Sequence, residues 1–148
     1  MTVQGLSRLS RKLRRTIPTA AKKRAKEALE ASAEEIIALM KRLVPKDEGN
    51  LAESIGWTWG NVPKGAVALG RSEPTGNGRL RITIYAGGDK TVVTNSRGVE
   101  FQNVFIQEFG TQEQDAQPFF FPAWRALRRR AKSRVSRGIT KGVKEGAQ

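Results

Sequence analysis

The residues best equipped for chemistry are four carboxylates, Glu100, Glu108, Glu113 and Asp115, close in sequence to most of the aromatic side chains. Paired carboxylates can hydrolyse glycosides, one as acid and the other as base or nucleophile. Nothing in the spacing of these four marks such a pair, so no catalytic residue is assigned. The chain has no histidine and no cysteine. That removes imidazole catalysis, His-ligated and thiolate-ligated metals, disulfides and the usual neutral-pH switch. The glycine-containing loop from Gly70 to Gly78 lacks the Gly-Lys-Ser/Thr ending of a phosphate loop and reads as a hairpin loop. Trp57 and Trp59 could stack on bases, but aromatics at period two read first as the core face of a strand. No enzyme activity, cofactor or metal site is expected.

Charge offers a different chemistry. The formal net charge is +13 over 148 residues. Residues 1–26 hold nine Lys and Arg and no acid, and residues 123–148 hold nine against Glu145 alone. The stretch between them has nine bases against thirteen acids. A mildly acidic body with two basic ends suits phosphates or acidic protein surfaces. Arg8, Arg11, Arg14, Arg15, Arg128, Arg129 and Arg130 are the candidate contacts to DNA or to an acidic surface. A chain of this length suits one domain with arms: a basic arm over 1–18, a single domain over 19–135 and a basic extension over 136–148. No apolar run is long enough to cross a bilayer, and the basic N-terminal region lacks the apolar stretch of a secretory signal. Synthesis in the cytoplasm and no membrane partner are expected.

These side chains must be positioned by helices and short strands. Leu6, Leu9 and Leu13 recur at helical spacing among arginines, in a segment that Pro18 is expected to interrupt. Residues 19–43 form the clearest helix, with Thr19 as cap and Ala25, Leu29, Ser32 or Ala33, Ile36, Ile37, Met40 and Leu43 as its apolar stripe. Pro45 stops it. A turn follows at Asp47 to Asn50. Strands are expected over Ser54–Trp59, Ala66–Arg71, Leu80–Tyr85 and Thr91–Thr94, with turns at Pro74–Gly78, Gly87–Asp89 and Asn95–Gly98. A last helix runs from Phe121 towards Lys144 and should fray at Gly138 and Gly142 unless a partner holds it.

The joint between the body and that last helix is aromatic. Val104, Phe105 and Phe109 are expected to share one face of a short helix, and Gly110 to stop it. A polar loop over 112–117 leads to Pro118 and to a new helix near Pro122. Phe105, Phe109, Phe119 and Trp124 are the expected core anchors.

The order of these blocks carries a resemblance. The long helix ends in Val44-Pro45, and Asp47-Glu48-Gly49-Asn50-Leu51-Ala52-Glu53-Ser54-Ile55 follows. Then come Ile84-Tyr85-Ala86-Gly87, Glu108-Phe109-Gly110-Thr111, and Gln117-Pro118-Phe119 running into Pro122-Ala123. Over about residues 20–130 this resembles the tail-component family of long, non-contractile-tailed phages and gene transfer agents, known as tail-completion, neck or head–tail joining proteins. Glu48 stands where the family usually has threonine, and Phe120-Phe121 where it often has Leu-Arg. The resemblance implies an α+β fold, with a small, mostly antiparallel sheet packed against a long N-terminal helix and a closing C-terminal helix. It also implies a homo-oligomeric ring, six-fold, at the top of the tail, between the tail tube or terminator ring and the head connector (stopper) ring, with DNA in the lumen as a further partner. Asp47, Gly49, Asn50, Leu51, Glu108, Phe109, Gly110 and Thr111 are then expected at subunit or ring contacts. Two other readings stand beside it: a tail terminator capping the tube, and a basic, non-specific DNA-binding protein acting in packaging.

Overall fold

Backbone and side-chain chemistry can be followed through residues 4–46, 49–68 and 80–148 of a computed structural model. The elements are α1 (Leu6–Arg11), α2 (Ile17–Leu43), α3 (Gly49–Ser54), β1 (Gly56–Thr58), β2 (Val67–Ala68), β3 (Thr83–Ala86), β4 (Val92–Thr94), β5 (Glu100–Gln102), α4 (Asn103–Phe109) and α5 (Phe120–Ala147). This is the α+β fold that the resemblance implies: two long helices, with small antiparallel sheets between them in sequence. The chain forms two compact units, residues 1–32 with 129–148, and residues 33–128. Each long helix contributes to both.

The first unit is helical. Pro18 does not interrupt the N-terminal segment. Lys12–Thr16 is a wide π-helical turn that joins α1 to α2, and the Ile17 N–H reaches back to the Lys12 carbonyl. A proline inside a helix lacks an N–H and crowds the carbonyl four residues back. The shift to five-residue bonding just before Pro18 accommodates both. Thr19 therefore lies within α2 and is not its cap.

Nor does α5 fray at its glycines; it continues to Ala147. A Cβ on Gly138 would lie 3.0 Å from the Arg24 carbonyl oxygen. On Gly142 it would lie 2.6 Å from both the Ala20 carbonyl oxygen and the Ala21 Cα, and on Gly146 2.7 Å from the Ile17 Cα. Glycine every fourth residue thus makes a flat seam against the alanine-rich start of α2, and contact with that backbone offsets the low helix propensity of glycine. Polar contacts fix the register. Lys12 Nζ donates to the Ala147 and Gln148 carbonyls (2.9 and 3.1 Å), where a cation suits the negative end of a helix. Arg24 grips the Glu145 carboxylate with two bonds of 2.8 and 2.7 Å and also bonds Glu27. These bonds hold Glu145 below the usual carboxylate range.

Gly142→Ala discriminates between propensity and packing. Propensity alone would stabilise the helix by about 1 kcal/mol. The backbone atoms in the way predict a net loss instead, about 1–3 kcal/mol of overpacking strain. A fall in melting temperature is the expected result, and a rise would mean that the seam is not closed in solution.

The second unit holds a three-stranded antiparallel sheet in the order β1-β3-β2. Gly56 pairs with Tyr85, Thr58 with Thr83, and Val67 with Ala86. β3 starts at Thr83, not at Leu80, and does not alternate as expected: Thr83, Ile84 and Ala86 are all buried. A central strand covered on both faces reads as a continuous buried run. Ser54 closes α3 before β1 begins, and the short strand at Val67–Ala68 stands within the expected Ala66–Arg71. The Pro74–Gly78 hairpin loop lies outside the described residues. Ile36, Ile37 and Met40 of α2 are buried, as are Val44, Leu51, Ile55, Ile84, Val104, Phe119 and Phe120. Each such side chain is worth about 1.5–3 kcal/mol. Leu43, expected in the stripe, is 42% exposed because Met40 and Val44 take the buried side of the helix end.

Candidate assembly surface

Three elements of the second unit build the site: α4, the start of α5, and the β4–β5 hairpin. In α4, Val104, Gln107 and Glu108, at three- and four-residue steps, face inward and are buried. Phe105 and Phe109 share the opposite face, 49% and 64% exposed. Of the four expected core anchors only Phe119 is buried; Trp124 is 36% exposed. The grouping of Val104 with Phe105 and Phe109 on one face also fails. The reason is the inward Glu108, which sets the rotation of α4.

Both oxygens of the Glu108 carboxylate serve the N-terminus of α5. One accepts the N–H groups of Phe119 and Phe120 (3.0 Å each) and the other that of Phe121 (3.0 Å). A helix starts with unpaired N–H groups and a positive partial charge, and this buried carboxylate satisfies both. Glu108 is thus a cap reaching in from another helix and not an exposed contact, and its oxygens are occupied by N–H donors. Glu100, Glu113 and Asp115 are exposed, whereas Glu108 is buried.

Gly110 stops α4 as expected, with φ 72° and its N–H bonded to the Ile106 carbonyl at 2.8 Å. A Cβ there would lie 2.7 Å from the Ala116 backbone nitrogen, so the position needs glycine for both conformation and space. Thr111 Oγ1 accepts the Glu113 and Gln114 N–H groups, and the Gln117 N–H bonds the Gln107 carbonyl at 2.7 Å. The polar loop therefore folds back and delivers Pro118 and Phe119 to the Glu108 cap.

The outer face of α4 is a stacked aromatic strip. The Phe105 and Phe109 ring centroids are 6.5 Å apart at 21°, and Phe121 lies 6.1 Å from Phe109. Phe121 in turn meets the buried Phe120 edge-on at 5.9 Å. The strip is thus anchored in the core at one end and open at the other. Trp124 follows Phe121 by three residues on the same side of α5.

The hairpin, directly before α4, was not legible as a site. Among the described residues β4 and β5 form a two-stranded sheet, with Val93 opposite Phe101. Both are exposed, as are Val92 and Val99. The Asn95–Gly98 turn is as expected, with Asn95 Oδ1 accepting the Arg97 and Val99 N–H groups. The available signal was the β-branched run of Val92 and Val93 facing Val99 and Phe101 across that turn.

The other expected contact residues are divided. Gly49 and Asn50 open α3 and are exposed, as is Thr111, and Asp47 lies outside the described residues. Leu51 is fully buried and belongs to the core. Arg8, Arg11, Arg14, Arg15, Arg128, Arg129 and Arg130 are all exposed. Trp57 and Trp59 are half-buried and edge-on at 6.2 Å, with Trp57 Nε1 donating to Glu34 at 2.6 Å. Among the described residues no group of three or more carboxylates could hold a metal ion, and no helix is long and apolar enough to cross a membrane.

No curated protein and no solved structure matches the chain. Residues 7–101 match the family described as "Bacteriophage HK97-gp10, putative tail-component". The matched span takes in Val44-Pro45, the Asp47–Ile55 block and Ile84–Gly87, and it ends ahead of Glu108–Thr111. With well over half of its length matched, the chain belongs to this phage tail-component family.

Proposed function

We propose that this tail component is a structural protein that assembles into a ring, six-fold, at the top of the tail and joins the tail to the head connector. The observation that carries the reading is the open apolar surface of the second unit: Phe105 and Phe109 on α4 and the Val93–Phe101 pair on the hairpin. Soluble monomers rarely leave such side chains grouped in the open without a partner to cover them. Among the described residues no third strand joins the hairpin, and a free strand edge is a further means of joining a neighbour. Closed rings need one patch to meet a different patch on the next copy, and an aromatic strip beside a β-branched hairpin supplies unlike surfaces. The role needs no catalytic residue. Its other partners are the tail tube or terminator ring on one side and the connector ring on the other, within a virion assembled in the bacterial host.

Phe105→Ser with Phe109→Ser tests the surface. The doubly substituted chain should keep its melting temperature to within a few degrees, because exposed positions carry about 0.5 kcal/mol or less each. It should also lose the ring, seen as a fall to monomer mass by light scattering. A ring of unchanged mass would remove this surface from assembly. The position in the particle is tested by deleting the gene. Filled heads and separate tails of normal length are expected. Overlong tails would make the protein a terminator, and normally joined particles would end the neck assignment.

A further inference from the structure

The charge divides along the two compact units. Residues 1–32 and 129–148 together hold sixteen Lys and Arg against three acids, whereas residues 33–128 hold eleven of each. The entire formal charge of +13 therefore sits on the helical unit. Two of its three acids, Glu27 and Glu145, are already bound by Arg24. Glu145 is held below its ordinary range first by its bonds from Arg24, and Lys141 and Lys23 add to the effect. It is the internal counter-charge that lets two basic helices lie side by side, and it is spent on that task.

The outward charge is consequently positive. Lys22 and Lys23 of α2 and Arg129, Arg137, Lys141 and Lys144 of α5 are exposed. Arg137, Lys141 and Lys144 follow one another at four- and three-residue steps and form one ridge, turned away from the Gly138, Gly142 and Gly146 seam. With Arg129 the row is about 22 Å long at 1.5 Å per residue. Ser133 is its uncharged neighbour on that face.

We infer that the helical unit binds the phosphate backbone of duplex nucleic acid without sequence preference. A row of bases of this length matches a ligand whose negative charge is continuous, about one per 1.7 Å of duplex axis. The cores of protein interfaces are depleted of charge and enriched in aromatic side chains, so a ridge that carries charge and no apolar side chain suits a protein partner less well. The inference does not depend on the place of the ring in the virion. A chain that failed to join heads to tails would still carry the ridge.

The test is fluorescence anisotropy of a labelled duplex of arbitrary sequence with the full-length chain across a salt series. If six phosphates are neutralised, affinity should fall about 1,000-fold between roughly 50 and 200 mM salt. The combined variant Arg137→Glu, Lys141→Glu and Lys144→Glu should weaken duplex binding by about 100-fold and flatten the salt slope. A control with the same change of net charge, Arg42→Glu, Lys64→Glu and Arg97→Glu, alters exposed bases of the other unit. It should lose less than about tenfold, because only general attraction is reduced. Circular dichroism verifies that both variants fold; if the first does not, the Gln versions of its three substitutions replace it, with a loss of about tenfold expected. Equal losses in variant and control would overturn the inference. So would a salt slope below that of a single phosphate contact, or poly-glutamate binding as tightly as duplex, which would point to an acidic protein surface instead.

Discussion

Phe119→Ala should cost about 3–5 kcal/mol, the loss expected when a fully buried aromatic ring is cut back to a methyl group. Phe119 has no exposed surface and packs against Phe120, ring centroids 6.1 Å apart in an edge-on arrangement. A small domain has only about 5–15 kcal/mol of stability in all, so the substituted chain should sit close to unfolding at 37 °C. Urea denaturation is the direct measurement, and the midpoint should fall sharply. Phe109→Ala is the internal comparison. That ring is 64% exposed, and its removal should change the monomer by less than about 1 kcal/mol. Equal effects at the two positions would mean that the aromatic strip is covered within the chain itself.

The second large effect is expected at Glu108. Replacement by alanine leaves three N–H groups at the start of α5 without their acceptor, those of Phe119 and Phe120 buried and that of Phe121 partly so. A buried donor left unsatisfied costs about 1–3 kcal/mol, and the loss of a favourable charge at a helix N-terminus adds to it. A total of about 3 kcal/mol or more is expected, which lowers the melting temperature by roughly 10 °C. Glu108→Gln keeps the shape and one acceptor oxygen but removes the charge and the second oxygen, so it should fall between alanine and the native residue. Melting curves of the three proteins check the order. If Gln and Ala were equally damaging, the charge and the second acceptor oxygen together would be the whole contribution. If neither changed the melting temperature, the carboxylate would not cap α5 in solution.

Much of the fold could be read from local signals, because those signals are physical constraints on a few neighbouring residues. The apolar stripe Ile36, Ile37 and Met40 is inward whatever packs on it, and the Val44-Pro45 step ends α2 by sterics alone. Gly110 had to stop α4, and the Asn95–Gly98 turn closes a hairpin through bonds made within four residues. The order of such blocks was enough to point to the phage tail-component family, which the family match shows.

The site was harder to read, because a helix periodicity identifies two faces without saying which one is buried. In α4 the phenylalanines made the more apolar face, yet the structure buries the face of Val104, Gln107 and Glu108. A carboxylate that satisfies three backbone donors eleven to thirteen residues away outweighs the apolar preference for burying Phe105 and Phe109. The glycines of α5 show the same limit. Propensity treats Gly138 and Gly142 as weak points, and only the backbone of α2 lying against them makes them a seam.

The sequence by itself determined the basic ends, the exclusion of histidine and cysteine chemistry, the two long helices and the family, since composition and local sterics are fixed by residue identity. Tertiary structure decided which aromatic rings are core and which are surface. It also decided that one acid caps a distant helix, and that the two basic ends fold into a single charged unit. Those outcomes depend on partners far apart along the chain, and a buried hydrogen-bonding group or a close backbone approach has no periodicity by which to be seen.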